Sequence, residues 1–316
     1  MMLADQGADV IKVERPEGGD TARGGAPMIK NEKGETQSGY FLRFNRNKRS
    51  VTLNLKTDEG RRLFGELAEK SDVVVENFRP GVLDEMGIGY KALSERNPRL
   101  IYACISEFGS MEGYRGPFGK RPAYDIVAQA MGGLMNSCGQ AGGPPTWLGV
   151  ALGDIVSGMN AAYAIMLALY QRAQTGRGQY IDISMYDTII GLAERSVTAY
   201  SWTNHVLERG REPFMAPWGP FQCQDGWIGV IVATEGDWAK FCQAIERPDL
   251  VGHDGATTGP ERATNMSGWL GEIINDWFRS QTKAGATTKL LAVGLPIGRS
   301  RTPRRFSTIR RSKRGA

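Results

Sequence analysis

Along the chain, apolar residues recur first at every second position and then at every third or fourth, and each change of period marks a change of element. Residues 8–13 (ADVIKV) read as a short strand, followed by a loop that carries Pro16, Gly18 and Gly19. A second alternating run covers 51–55. Thr57 then opens a helix, with Glu59 close behind and Leu63, Leu67 and Ala68 at helical spacing. The continuous apolar run Val73, Val74, Val75 follows, so strand, helix and buried strand make a βαβ unit. A helical stretch over 90–96 and a strand over 100–105 come next. The longest helix is predicted over 155–174, with Met159, Ala162, Ile165, Met166 and Leu169 on one face and Gly176 and Gly178 ending it. A strand over 179–185 leads into a helix from 186 to about 205.

Past that helix the pattern changes. Residues 208–220, rich in Gly and Pro, read as a crossing segment, and 221–232 as a hairpin turning at Asp225-Gly226. Helices are predicted near 238–245, 269–279 and 287–292. The order gives an α/β protein of two domains: a large one over 1–206, a linker with a smaller α+β domain over 207–298, and a tail over 299–316. The longest apolar run in helical register, 161–170, is shorter than the roughly 18 residues of a membrane span, so no membrane is expected. The first residues lack the pattern of a secretory signal, which makes the cytoplasm the expected location.

Composition narrows the chemistry. The 4 cysteines lie far apart without a CxxC pair, and only 2 histidines accompany them, so neither a zinc site nor a disulfide framework is expected. With so few histidines, a catalytic acid, base or nucleophile is expected to be a carboxylate. The net charge of +5 is unevenly placed: 299–316 holds eight basic residues and no acid, and without them the chain is mildly acidic. That distribution argues against a nucleic-acid partner for the body of the protein.

Three groups of residues have chemical potential. Asp154, in ALGDIVSGMNAA, opens the longest helix; such a residue is either an N-cap or a nucleophile whose neighbouring N–H groups steady an oxyanion. The stretch ENFRPGVLDEMG, 76–87, follows the apolar strand, and ligands of open parallel sheets bind beyond the carboxyl ends of strands. Cations cluster at strand ends: Lys12, Arg15, Arg46, Lys48, Arg49 and Lys56 suit a phosphorylated nucleotide collectively and are solvated side chains singly. Neither GxGxxG nor GxxxxGK[ST] occurs in a context that indicates a nicotinamide or a nucleoside triphosphate.

Taken together, GADVIKVERPEGGD (7–20), NRNKRSVTLNLKTDEG (45–60), DVVVENFRPGVLDEMG (72–87), ALGDIVSGMNAA (151–162) and TGRGQYIDISMYD (175–187) resemble the class III, CaiB/BaiF-type, CoA-transferases, nearest in motif to the formyl-CoA transferase-like branch. The resemblance runs over about residues 2–298. It implies an open Rossmann-like parallel-sheet domain with a smaller α+β domain. It also implies transfer of CoA from an acyl-CoA to a free carboxylic acid, no permanently bound cofactor, CoA and acyl-CoA as substrates, and an interlocked homodimer. By the same resemblance Asp154 is the nucleophile, with Tyr124 and Asp125 beside it, and Arg15, Leu53, Lys56, Asn77, Phe78 and Met86 line the CoA cleft. Arg79 joins them by its place in the loop. Relatives that are α-methylacyl-CoA racemases carry a His where Tyr124 stands; a tyrosine, with an ordinary pKa of about 10, is a poor base at neutral pH, so transfer is favoured over racemisation. An inactive CoA-binding fragment is the other alternative.

Both ends depart from the resemblance. Met1 resembles an internal start, with a first strand and part of the CoA-binding loop expected before it. Residues 299–316 break from the pattern as though one nucleotide had been lost after Gly298 and the reading frame had shifted. The expectation from these departures is a chain that is weakly stable or inactive.

Overall fold

The computed structural model describes residues 1–301 apart from Arg115, Lys120, Pro122 and 211–213. The chain divides into two compact units, the first made of Met1–Cys138 and Pro145–Asn204, the second of Gly139–Pro144 and the chain from His205 onward. The span 1–206 read from the sequence as one domain thus yields 139–144 and its last two residues to the second unit. The reason is local: Arg209 donates to the Gly143 carbonyl, and Gly210 lies so close to the 139–141 backbone that a Cβ there would stand 2.5 Å from the Gly139 oxygen.

In the first unit, β1 (Val10–Glu14) pairs in parallel with β4 (Lys48–Thr52), while β2 (Met28–Lys30) and β3 (Thr36–Ser38) form a small antiparallel hairpin between them in sequence. The register sets Val13 opposite Val51. β4 ends three residues before the alternating pattern does, because Asn54 turns the chain: its carbonyl accepts from the Thr57 N–H and hydroxyl, and its side chain accepts from Lys56 N. Thr57 then caps the helix Asp58–Glu69.

β5 (Val73–Glu76), β6 (Ile101–Ser106) and β7 (Tyr180–Ser184) form a second parallel sheet in that order. The parallel strands are therefore shared between two ladders, where the sequence suggested one continuous sheet; no ladder joins them among the described residues. β6 is buried on both faces, and its alternation separates two cores. Ile101 and Ala103 face Ile165 and Ala168 of the helix Leu152–Thr175, whereas Tyr102 and Cys104 face Leu83, Ile88 and Leu93.

The long helix differs from its sequence reading in two respects. At 24 residues it is long and apolar enough, by length and composition, to cross a bilayer, which the 161–170 estimate had ruled out by stopping at Asn160 and Gln171. It nevertheless packs as a core helix on the β5–β7 sheet. Its buried stripe is Ser157, Ala161, Ile165 and Ala168, and of the residues placed on one face by their spacing Ile165 is buried while Met159 and Met166 are exposed. The helix is apolar nearly all round, and its small residues are the ones that let its backbone approach the sheet. The single helix expected after β7 is two, Met185–Leu192 and Glu194–Thr203, broken at Ala193, whose N–H reaches both the Ile189 and Ile190 carbonyls.

The second unit holds the expected hairpin, β8 (Trp218–Cys223) and β9 (Gly226–Ile231), turning at residues 224–225, with β10 (Ile297–Arg299) added antiparallel to β9. Helices Glu235–Ala244, Trp269–Ser280 and Lys283–Ala292 pack an aromatic core of Phe221, Trp238, Phe241 and Phe278 against it. Arg299, the first residue of the proposed tail, is part of β10; the tail beyond 301 lies outside the described residues.

Candidate active site

The carboxyl ends of β5 and β6, the short helix Asp125–Met131 and the first turn of Leu152–Thr175 carry six of the ten predicted residues: Asn77, Phe78, Arg79, Tyr124, Asp125 and Asp154. Asn77 and Phe78 follow β5 directly. The Asn77 side chain donates to the Ile105 carbonyl of β6 at 2.6 Å, and Phe78 N donates to the Glu76 carboxylate at 2.6 Å, leaving the Phe78 ring exposed. Arg79 is exposed in the same loop. Met86, by contrast, packs against the core beneath that loop, beside Leu83 and Leu93.

Asp154 occupies the third position of its helix, not the cap: Ala151 stands there, without a side-chain cap bond. The N-cap alternative therefore fails. Among the described residues the Asp154 carboxylate has no hydrogen bond and no ion pair, and it is exposed, yet enough protein surrounds it to hinder hydration of its charge. That hindrance, and then the charge of Asp125, raise its pKa above the ordinary carboxylate value. A carboxylate of raised basicity with no partner to satisfy is a better nucleophile than an N-cap would be.

Asp125 is the opposite case. One oxygen accepts Gly153 N at 2.7 Å and the other accepts the Gln129 amide at 2.7 Å; the same amide nitrogen also donates to the Val150 carbonyl at 2.9 Å. It ties the two helix starts together and holds the turn from which Asp154 projects. The Gly153 N–H is thereby committed to Asp125 and is not free to steady an oxyanion, as the sequence reading had allowed. Tyr124, next to it, is 79% exposed and contributes its backbone as the N-cap position of its helix.

A residue that the sequence reading passed over joins this group. Glu107 lies one residue beyond β6, is 9% exposed, and neither of its carboxyl oxygens has a hydrogen-bond partner among the described residues. Burial, followed by the charges of Asp154 and Asp125, pushes its pKa up to about 7. The available signal was a carboxylate set directly after a largely apolar strand and before Phe-Gly.

The strand-end cations sort themselves by partner. Lys12 pairs with Asp20, Arg46 with Asp5 and Arg49 with Asp9, and Lys48 donates to the Asn45 side chain. Arg15 and Lys56 form no ion pair among the described residues; Arg15 donates only to the Gly19 carbonyl, at 2.9 Å. Both lie past the carboxyl ends of paired strands, β1 and β4, with Leu53 between them through its N–H to the Glu14 carbonyl at 2.9 Å. Glu14 braces that end: buried, and bonded to Arg23, Ser50 Oγ and Asp20 N, it has its pKa held down to about 2, chiefly by Arg23.

The profile of CoA-transferase family III matches residues 1–314. The chain belongs to that family. It is 43% identical to a succinyl-CoA:mesaconate CoA-transferase of Haloarcula marismortui over 79% of this chain, and it spans 63% of the length of that relative. It is 38% identical to the succinyl-CoA–L-malate CoA-transferase beta subunit of Chloroflexus aurantiacus, over 93% of this chain and 72% of that one. Among solved structures, a CaiB/BaiF family protein from Brucella suis matches with a TM-score of 0.81 at 34% identity, covering 95% of this chain and 78% of that one. The family membership fixes the α/β class and sets the long helix and parallel strands in a fold whose relatives are named for CoA transfer.

Proposed function

We propose that this CoA-transferase family member moves CoA from an acyl-CoA thioester to a free carboxylic acid, with Asp154 as the acyl acceptor. The observation that carries this reading is the Asp154 carboxylate itself, unpartnered in the first turn of a long helix beside the carboxyl ends of parallel strands. An Asp154 oxygen adds to the thioester carbonyl, the C–S bond breaks, and a mixed anhydride and CoA thiolate result. The thiolate then attacks the aspartyl carbonyl, releasing the first carboxylate and leaving an aspartyl-CoA thioester. The acceptor carboxylate repeats both steps in reverse, restoring the Asp154 carboxylate. Covalent exchange of this kind retains acyl activation at every stage and splits one difficult substitution into easier ones. Asp125 fixes the turn that presents the nucleophile, Arg15 and Lys56 supply unpaired cations for CoA phosphates, and Asn77 and Phe78 border the thioester arm.

The names of the relatives suggest succinyl-CoA as the first donor to try. A screen of dicarboxylic acids against succinyl-CoA and acetyl-CoA, read by chromatography of the CoA products, is expected to yield at least one new acyl-CoA. Hydrolysis alone, with no acid acting as acceptor, would contradict the reading. Racemisation has less support: Tyr124 is largely exposed and the named relatives are transferases.

A homodimer is part of the same proposal. The outer face of the long helix exposes Met159, Tyr163, Met166, Leu167 and Tyr170, an apolar stripe of the kind that monomers seldom leave bare. In sedimentation, the double substitution Tyr163→Glu, Tyr170→Glu is expected to weaken self-association by at least about tenfold, since each charge must be desolvated to remain in the contact. A wild-type chain that sediments as a monomer at micromolar concentration would refute the dimer.

A further inference from the structure

Glu107 is built into the site rigidly. Its carbonyl accepts Tyr186 N at 2.9 Å and Ser184 Oγ at 3.3 Å. Two residues on, Gly109 takes a left-handed φ of 85°, and Ser110 N and Met111 N both donate to Asp182 Oδ2, at 2.9 and 2.8 Å. With the loop pinned to β7 on both sides, the side chain is buried and neither carboxyl oxygen finds a donor within hydrogen-bond geometry among the described residues. Two other acids act on it, Asp154 from the long helix and Asp125 from the helix Asp125–Met131, while the Ala128 amide of that helix acts the opposite way.

Three acids in one neighbourhood must distribute charge unequally. Asp125 has its donors and Asp154 is open to solvent; Glu107 has neither. A carboxylate buried without donors and facing like charge is the member of the group for which ionisation costs most. We propose that Glu107 is a positioning residue for the transfer reaction, standing beside Asp154 as a neutral carboxylic acid so that an anionic acceptor is not repelled by a second bare carboxylate. The inference rests on the transfer reading above and adds to it the residue that suits the site to an anionic acceptor. Loss of the Glu107 proton on the alkaline side then raises KM for the acceptor acid while leaving the covalent chemistry at Asp154 in place.

Glu107→Gln tests this, because glutamine has the shape of the neutral acid and cannot ionise. With acetyl-CoA as donor and succinate as acceptor, the variant-to-wild-type ratio of kcat/KM for succinate is expected to rise about tenfold between about pH 6 and about pH 8.5, the change falling on KM. A structural role would shift the ratio equally at every pH, and a flat ratio overturns the proposal. Independently of turnover, carbon-13 carboxyl NMR of the full chain, with the Glu107→Gln spectrum as reference, is expected to show Glu107 titrating near neutrality. A midpoint in the ordinary range of about 4 to 5 overturns the proposal as well. If neither protein exchanges CoA with any acid, the transfer reading fails, and the NMR midpoint still decides whether Glu107 holds the proton.

Discussion

Replacing Asp154 with asparagine is expected to lower CoA exchange by on the order of 10⁴-fold or more, because the amide cannot form the anhydride and every later step passes through it. The loss should fall on kcat and kcat/KM together, with little change in affinity for acyl-CoA, which is held by other residues. Stability should behave differently. Asp154 makes no hydrogen bond or ion pair among the described residues, and its surroundings disfavour its charge. The asparagine variant should therefore unfold at the same temperature as the wild type or slightly above it. A variant that lost activity and melted early would place Asp154 in the scaffold.

The largest expected loss of stability lies in the second unit, at Arg262. Its side chain is 1% exposed and its guanidinium donates to the Ala216 carbonyl at 3.0 Å, the Ala256 carbonyl at 3.1 Å and both oxygens of Glu235 at 2.7 and 2.9 Å, while lying 4.8 Å from the Trp238 ring centre. Arg262→Ala strands two buried carbonyls and opens a cavity beside Trp238, at a cost of about 3 kcal/mol. The Glu235 carboxylate is largely exposed, so the ion pair itself contributes the smaller part. Urea unfolding followed by tryptophan fluorescence reads the effect; a loss below about 1 kcal/mol would contradict it. Arg262 chiefly lowers the pKa of Glu235, so the pair's share of stability is present above the unfolded carboxylate value and fades as pH falls through the lowered one.

Much of this was legible in the sequence, and what was not has identifiable causes. Short apolar runs located β1, β5 and β6, and the turn pair Asp225-Gly226 located the hairpin, because strands and turns are local. The inward face of the long helix was not legible because apolar residues surround it, so periodicity could not say which side met the sheet; the residues buried there include the small Ala161 and Ala168. The break at Ala193 is announced only by Gly191, and a lone glycine in a helical pattern is weak grounds for ending a helix. Among the site residues, the motif around Asp154 was visible, whereas its lack of a hydrogen-bond partner was not, since that depends on Asp125 taking Gly153 N. Arg15 and Lys56 looked no different from Lys12, Arg46, Lys48 and Arg49 until tertiary pairing of three of those with Asp20, Asp5 and Asp9, and of Lys48 with Asn45, set the two apart. Glu107 was passed over because its one local signal, a place directly after a largely apolar strand, is shared with carboxylates that end a strand in water.

CoA transfer by this chain turns on whether an acyl group is carried on one side chain. Incubating the full chain with acetyl-CoA or succinyl-CoA without an acceptor, quenching with hydroxylamine or borohydride and mapping peptides by mass spectrometry tests it most directly. The account predicts a hydroxamate or reduced carboxyl at Asp154 and nowhere else, absent from the asparagine variant. An unmodified Asp154 peptide from a chain that still exchanges CoA between acids would contradict it.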